Sequence, residues 1–385
     1  MRTPSAAARS FRHPCTGPTR TRGFASFLER ELAGPRANIR AFARELGEVF
    51  GPRHVTLVNS GSSANLAAAL ALAEVAGPGE AVVCGLTFPT TAAALKAAGF
   101  DLKVVDCAPG GFCMDPGRLK EALGPRTKVV AVTHFLGFAA DLPAVRAIAD
   151  HAGLLVLQDA CETMGLSVSG RPAHEWGDLS TWSFYHPHHL SSFGGGAVVS
   201  PDASWRRLVE SYSHWGRECS CHYAPEDCPV PAGPDHQFTY GRAGFNLELS
   251  ELNAAFGRFS LRTWPSQEEA RKRRYAVLFE ALKDLRGLKV YAADPSLPSP
   301  FVFPVTTLDG RAPEAARALA KAGIEVRSLM GGLLTRQAPF RELHHAGLRN
   351  CAAASKSTFF LGIHQTLAES DVKAAAAEVR RLLSR

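Results

Sequence analysis

No apolar run of about 18 or more residues occurs in the 385-residue chain, so a membrane-spanning helix is not expected. A secretory hydrophobic region is missing as well. The nine cysteines are odd in number and scattered, which argues against a disulfide framework and for metal or redox chemistry in a reducing, cytoplasmic compartment. No repeat with a period of roughly 20–50 residues is present, which excludes solenoids and propellers. The excess of basic over acidic residues is only +7. The one basic cluster, Arg271-Lys272-Arg273-Arg274, reads as a solvated helix face rather than a nucleic-acid contact. Lysine is scarce, ten against 33 arginines, and none stands between Lys128 and Lys272. The scarcity reflects genome composition, but the gap removes every amine from the middle of the chain.

What is present describes an ordinary globular protein: 46% hydrophobic and 21% charged residues exclude wholesale disorder. The first 23 residues contain Arg, Ser, Thr and Pro and no acid. They are set apart as an N-terminal tail, for which a transit peptide and a ragged bacterial N-terminus are both open readings. From there, strands are expected over 55–59, 81–87, 102–106, 129–134, 154–159 and 197–200, with helices over 62–75, 90–98, 116–123 and 142–152 between them. This alternation predicts an α/β fold with a mostly parallel central sheet covered on both faces, whose ligands gather at the carboxyl ends of the strands. The rhythm breaks after about residue 200. A Cys/His/Pro-rich loop over 219–236 precedes a helical stretch over 249–285, a strand near 301–305 and a terminal helix from Glu369. The expected division is a large domain over 24–257 and a smaller α+β domain over 258–385.

Asn59-Ser-Gly-Ser-Ser-Ala-Asn65 stands between a strand and a helix, where backbone N–H groups, hydroxyls and the helix dipole suit a phosphate. A plain helix cap explains it equally well. Asp159 closes Leu154-Leu-Val-Leu-Gln-Asp159, where a carboxylate either pairs with a pyridinium nitrogen or caps a helix. Gly177-Asp-Leu-Ser-Thr-Trp-Ser-Phe184 then leads into Tyr185-His-Pro-His-His-Leu-Ser-Ser-Phe-Gly-Gly-Gly-Ala-Val198. In this order and spacing, with Gly85-Leu-Thr-Phe-Pro-Thr-Thr91 and Tyr240-Gly-Arg-Ala-Gly-Phe-Asn-Leu247, the chain resembles the fold-type I pyridoxal-phosphate enzymes of the DegT/DnrJ/EryC1/StrS superfamily. The resemblance runs from about residue 25 to the end.

It implies the aspartate-aminotransferase-like fold and a bound cofactor phosphate held by Gly61, Ser62 and Ser183, with Asn246 of the partner subunit in a homodimer. Phe88 would stack on the ring, Asp159 would keep the pyridine nitrogen protonated, and Glu162 would face the cofactor. At one position the chain departs from the aminotransferases, which hold the cofactor as a Schiff base on a lysine: here that residue is His188. Without the amine, ordinary transamination loses its resting state, whereas an imidazole still moves protons near neutral pH.

Cys161, Cys219, Cys221 and Cys228 form the pattern C-x57-C-x-C-x6-C. Four thiolates suit an iron–sulfur cluster or zinc. The spacing resembles that of the CDP-4-keto-6-deoxyglucose 3-dehydrase group, with a last gap one residue shorter. Asp235-His-Gln-Phe-Thr-Tyr240 and Leu334-Thr-Arg-Gln337 extend the likeness, while Phe193-Gly194-Gly195-Gly196 stands where that group shows Gly-Glu-Gly-Gly. This second resemblance implies pyridoxamine 5'-phosphate, a [2Fe–2S] cluster on the four cysteines, a nucleotide-linked 4-keto-6-deoxyhexose as substrate and a flavin/iron–sulfur NAD(P)H reductase as partner. The rival expectations are a cluster-free dehydrase coupled to glutamate and a non-catalytic sugar-nucleotide-binding protein with structural zinc. Cys15, Cys84, Cys107, Cys113 and Cys351 read as ordinary small side chains.

Overall fold

Apolar side chains at consecutive positions, as in the runs ending at Thr133 and Asp159, suit strands covered on both faces. In the computed structural model both runs are buried over most of their length. The structure describes residues 12–17, 21–31, 36–52, 54–221, 223–294 and 300–384. The strands in chain order are β1 (His54–Val58), β2 (Glu80–Cys84), β3 (Asp101–Val105), β4 (Thr127–Thr133) and β5 (Leu155–Asp159), a small hairpin of β6 (Ser167–Val168) and β7 (Arg171–Pro172), then β8 (Leu179–Ser183) and β9 (Gly196–Ser200). After a long interval come β10 (Leu288–Val290), β11 (Phe303–Thr307), β12 (Val326–Ser328), β13 (His344–His345) and β14 (Thr358–Leu361).

An eight-stranded sheet has the order β1-β9-β8-β5-β4-β2-β3-β13, and β9 alone runs against its neighbours. The helices between its strands begin at local caps. Ser60 accepts from the Ser63 N–H to open Gly61–Ala76, and Asp115 and Asp141 do the same for Pro116–Ala122 and Leu142–Ala152, each with proline in the first turn. Gly153 ends the last of these in the left-handed region that a glycine adopts freely. A second sheet, β10-β11-β14-β12, is antiparallel throughout. Helices Trp264–Leu282 and Glu369–Leu383 cover it around a separate core that includes Leu278, Phe303, Phe359, Leu361 and Val379.

The α/β fold with a smaller α+β unit is the one expected, and three details differ. The helical stretch over 249–285 is two helices, Glu251–Leu261 and Trp264–Leu282. Pro265 lies in the first turn of the second helix, where a missing N–H and fixed φ cost nothing, but it cannot continue the helix before it. The tail is partly docked: His13 bridges Ile324, its Nε2 lies 2.8 Å from the Gly362 carbonyl oxygen, and the Cys15 N–H donates to Glu325 at 2.8 Å. The basic cluster is not wholly solvated. Lys272 and Arg273 pair with Glu268 and Glu269 one turn back, but Arg271 is buried at 3% exposure.

Helix Ala37–Phe50 packs on Glu251–Leu261 where Gly257 lets the Phe42 ring approach. A Cβ at Gly257 would stand 2.4 Å from that ring. Gly257→Ala should therefore destabilise the chain by about 1–3 kcal/mol through overpacking, read as a lower midpoint in urea; an unchanged midpoint would show a looser contact.

Candidate active site

In an open α/β sheet the free space lies beyond the carboxyl ends of the strands. Here β4, β5 and β8 end side by side at Thr133, Asp159 and Ser183, and these residues line a cavity of about 740 Å³. Helix Gly61–Ala76 points its N-terminus into the same space. A Cβ at Gly61 would stand 2.7 Å from Ser183 Cβ and 3.1 Å from Cys161 Sγ, so only glycine lets the helix start approach the strand end this closely. The Ser62 hydroxyl donates to Thr90 Oγ1 at 2.9 Å. Backbone donors, two serine hydroxyls and a helix dipole thus share one corner, which is the chemistry of a phosphate cradle. Phe88 is 46% exposed, with its ring on the cavity edge.

Asp159 is nearly buried, and three donors hold its carboxylate. Oδ2 accepts from Asn65 Nδ2 at 3.0 Å and from the Thr91 hydroxyl at 2.5 Å, and Oδ1 accepts from the Cys161 N–H at 3.2 Å. Thr181 donates to Asn65 Oδ1 at 2.6 Å and so fixes which way that amide faces. The orienting residues Asn65, Thr91 and Thr181 were missed in the sequence, although Asn65 and Thr91 close two of the quoted motifs.

His188 follows β8, half-buried, its ring stacked on Phe301 at 5.3 Å and 18°. Its Nδ1 is buried with no hydrogen-bond partner. Burial pushes the imidazole down to about 4, against the nearby Asp159 charge and with the help of Arg271. The ring is therefore a neutral base at pH 7. Arg271 donates to the Phe301 carbonyl at 2.9 Å and the His188 carbonyl at 3.4 Å, and its Nε is buried without a partner. Glu162 is buried too, and desolvation pushes its carboxyl up to about 8 even though its Oε2 accepts from the Leu136 N–H at 2.6 Å. Leu136 is held at φ 57°, a costly conformation for leucine. Glu162 thus secures a strained turn as well as lining the cavity.

The cavity brings together Gly61, Ser62, Phe88, Asp159, Cys161, Glu162, Ser183 and His188. Asn246 is exposed and outside it. The structure does not bring Cys161 to the other three thiols. Its short link to Asp159 keeps it at the strand end, where burial and the Asp159 charge push the thiol up. Cys219, Cys221 and Cys228 surround His236, which the sequence reading does not single out and whose Nε2 lies 3.1, 3.1 and 3.5 Å from their sulfurs. The spacing C-x-C-x6-C-x7-H carried the signal. Cys84, Cys107 and Cys351 are not isolated either. The Cys107 N–H donates to Cys351 Sγ at 3.2 Å, and Cys84 bonds the same sulfur.

Residues 26–380 match the model of the DegT/DnrJ/EryC1/StrS aminotransferase family. The chain is 34% identical over 366 residues to dTDP-4-dehydro-2,6-dideoxy-D-glucose 3-dehydratase of Saccharopolyspora spinosa, covering 88% of this chain and 78% of that protein. It is 32% identical over 293 residues to L-glutamine:2-deoxy-scyllo-inosose aminotransferase of Streptoalloteichus tenebrarius, covering 73% and 68%. Escherichia coli GDP-4-keto-6-deoxy-D-mannose-3-dehydratase, solved with hydrated pyridoxal phosphate, superposes with a TM-score of 0.85 at 20% identity, over 96% of this chain and 99% of that one. This last likeness is one of fold.

Glu162 and His188 pull stability in opposite directions with pH. The Glu162 carboxyl stays protonated in the fold while the unfolded chain ionises it, so stability falls as pH rises from 4.5 to about 8. His188 stays neutral in the fold while the unfolded chain protonates it, so stability falls as pH drops from 6.5 to about 4. Glu162→Gln should remove the first slope, on the order of 1.4 kcal/mol per pH unit, when urea midpoints are compared across that window. An unchanged slope would place the ionised carboxylate in the fold.

Proposed function

We propose that this chain, which belongs to the DegT/DnrJ/EryC1/StrS aminotransferase family, is not a transaminase but a pyridoxamine-phosphate-dependent dehydrase that removes the C3 hydroxyl of a nucleotide-linked 4-keto-6-deoxyhexose. The observation that carries this reading is the neutral imidazole of His188 on the cavity wall, with no lysine among the described lining residues. A transaminase of this family needs an amine there to hold its resting cofactor.

The residues fit a pyridoxamine phosphate. The helix start at Gly61, closed against Ser183, leaves a cradle that a Cβ would fill, and the orphaned Nδ1 of His188 lacks a partner that a ligand can supply. Bound there, the cofactor would supply an amine for a ketone and an electron-withdrawing ring. Asp159, its other lone pairs engaged by Asn65, Thr91 and the Cys161 N–H, holds the proton on the ring nitrogen. Ser62, Ser183 and the backbone at Gly61 bind the phosphate, and Phe88 covers the ring. His188 takes a proton from the cofactor's C4′ carbon, and its low basicity suits a group that must be unprotonated at neutral pH.

Complete deoxygenation consumes two further electrons. We infer that they come from a flavin/iron–sulfur NAD(P)H reductase through a [2Fe–2S] cluster on the cysteine-rich loop. Asn246 is exposed and outside the cavity, and in a homodimer it would complete the phosphate site of the second subunit.

His188→Asn should leave pyridoxamine phosphate bound within about threefold while slowing exchange of its C4′ protons with deuterated water by roughly 10²-fold or more. Undiminished exchange would take His188 out of that role. With the wild-type chain, sugar turnover driven by glutamate alone, with no reductase, would favour the cluster-free dehydrase instead.

A further inference from the structure

The start of the chain reaches the active-site cavity from outside the stretch that matches the family. That stretch begins at residue 26, yet Cys15 and Thr16 line the same cavity as Asp159 and His188. Residues 12–17 lie there as a strap on the smaller unit, just ahead of β12. The Arg12 N–H donates to the Gly323 carbonyl at 2.8 Å, the Glu325 N–H donates to the His13 carbonyl at 2.9 Å, and His13 bridges Ile324 in parallel. Cys15 is engaged in the same anchorage. Its N–H donates to Glu325 Oε2 at 2.8 Å and its thiol to the Glu325 carbonyl at 3.2 Å. Gly362 admits the strap, since a Cβ there would stand 2.5 Å from Cys15 Cα. A terminal segment is ordered only where it is tied down, and this one, with His13 at 1% exposure, is a built wall of the cavity.

Thr16 has a particular place in that wall. A second cavity of about 580 Å³ adjoins the first, and Thr16, Pro187, His188, Arg271 and His364 line both. Gly61, Ser62 and Ser183 line only the first. Thr16 therefore belongs to the end of the site where His188 and Arg271 stand, not to the phosphate corner. On the proposed dehydrase reading, on which this inference rests, the sugar is the ligand that must come up to His188, so it meets the same wall. Apolar walls discriminate weakly between sugars that differ in a hydroxyl, whereas a wall group that hydrogen-bonds the hydroxyl discriminates strongly. Cys15 cannot take that role, because its thiol already donates to a backbone carbonyl. We propose that Thr16 is a specificity-determining residue of the sugar site, its hydroxyl bonding a ring hydroxyl of the nucleotide-linked ketosugar, and that the strap over 12–17 places it there.

The test uses the full chain loaded with pyridoxamine phosphate, and CDP-, dTDP- and GDP-linked 4-keto-6-deoxyhexoses as probes. Two variants disturb the wall differently. Thr16→Val keeps the shape and removes the hydroxyl, whereas Gly362→Ala leaves the cavity lining untouched and displaces the strap. In both, KM for the sugar that the wild type accepts should rise by about tenfold, the worth of one hydrogen bond. Cofactor affinity and sugar-free exchange of the C4′ protons should stay within about twofold of wild type, a split that a merely structural role would not produce. An unchanged KM in Thr16→Val overturns the proposal, whatever Gly362→Ala does. So does a loss of C4′ exchange as large as the loss of sugar turnover, which would place the strap at the cofactor. A wild-type chain that holds the cofactor but neither binds nor turns over any of the three sugars overturns the dehydrase reading and this inference with it. An active wild type with indifferent variants overturns this inference alone.

Discussion

A carboxylate at the end of a central strand is the constraint on which the site is built. Asp159 sits at 4% exposure, where an unpaired charge would be costly. Its compensation comes from three different parts of the chain: Asn65 on helix Gly61–Ala76, Thr91 on the helix after β2 and the backbone of Cys161. Because each donor belongs to another element, the carboxylate can be satisfied only when β5 and both helices are in register. The same assembly sets the helix start at Gly61 against Ser183. Satisfying one buried charge and shaping the phosphate corner are therefore a single packing problem.

The cavity's other wall works by the opposite principle, leaving polar groups unmatched. Burial lowers the basicity of His188 and Arg271 and raises that of Glu162. Arg271 braces the His188 backbone while keeping a guanidinium edge buried and unpaired. Such groups are expensive in a resting protein and are retained where a ligand completes them. Phe193 shows a related departure. It takes the left-handed conformation at φ 59°, which glycine would adopt without cost, and its ring packs on Phe256 with centroids 4.2 Å apart. The aromatic contact offsets part of the strain that glycine would have avoided.

Much of this was legible from residue order. The alternation of Val/Leu-rich runs with Ala-rich stretches located the strands from β1 to β5 within two or three residues, since continuous apolar runs have few other uses in a chain of this length. Asp159, His188 and the Gly61 turn were legible because their neighbours in sequence carry the pattern. What sequence could not supply was proximity between segments. The donors to Asp159 come from 68 and 94 residues away. In sequence Arg271 groups with its charged neighbours, yet its direction on the helix separates it from them. The approach of His236 to the three loop thiols is likewise a contact that spacing alone does not reveal.

The short pairing of β13 with β3 has a mechanical meaning. Two residues of the smaller unit, His344 and His345, pair with the outer edge of the large sheet, and His13 and Cys15 tie the start of the chain to the smaller unit at Ile324 and Glu325. A body stitched at two places cannot swing freely about a single hinge. Access to the cavity then falls to lining side chains that solvent already reaches, Phe88 and Tyr185, neither of which belongs to a strand of either sheet.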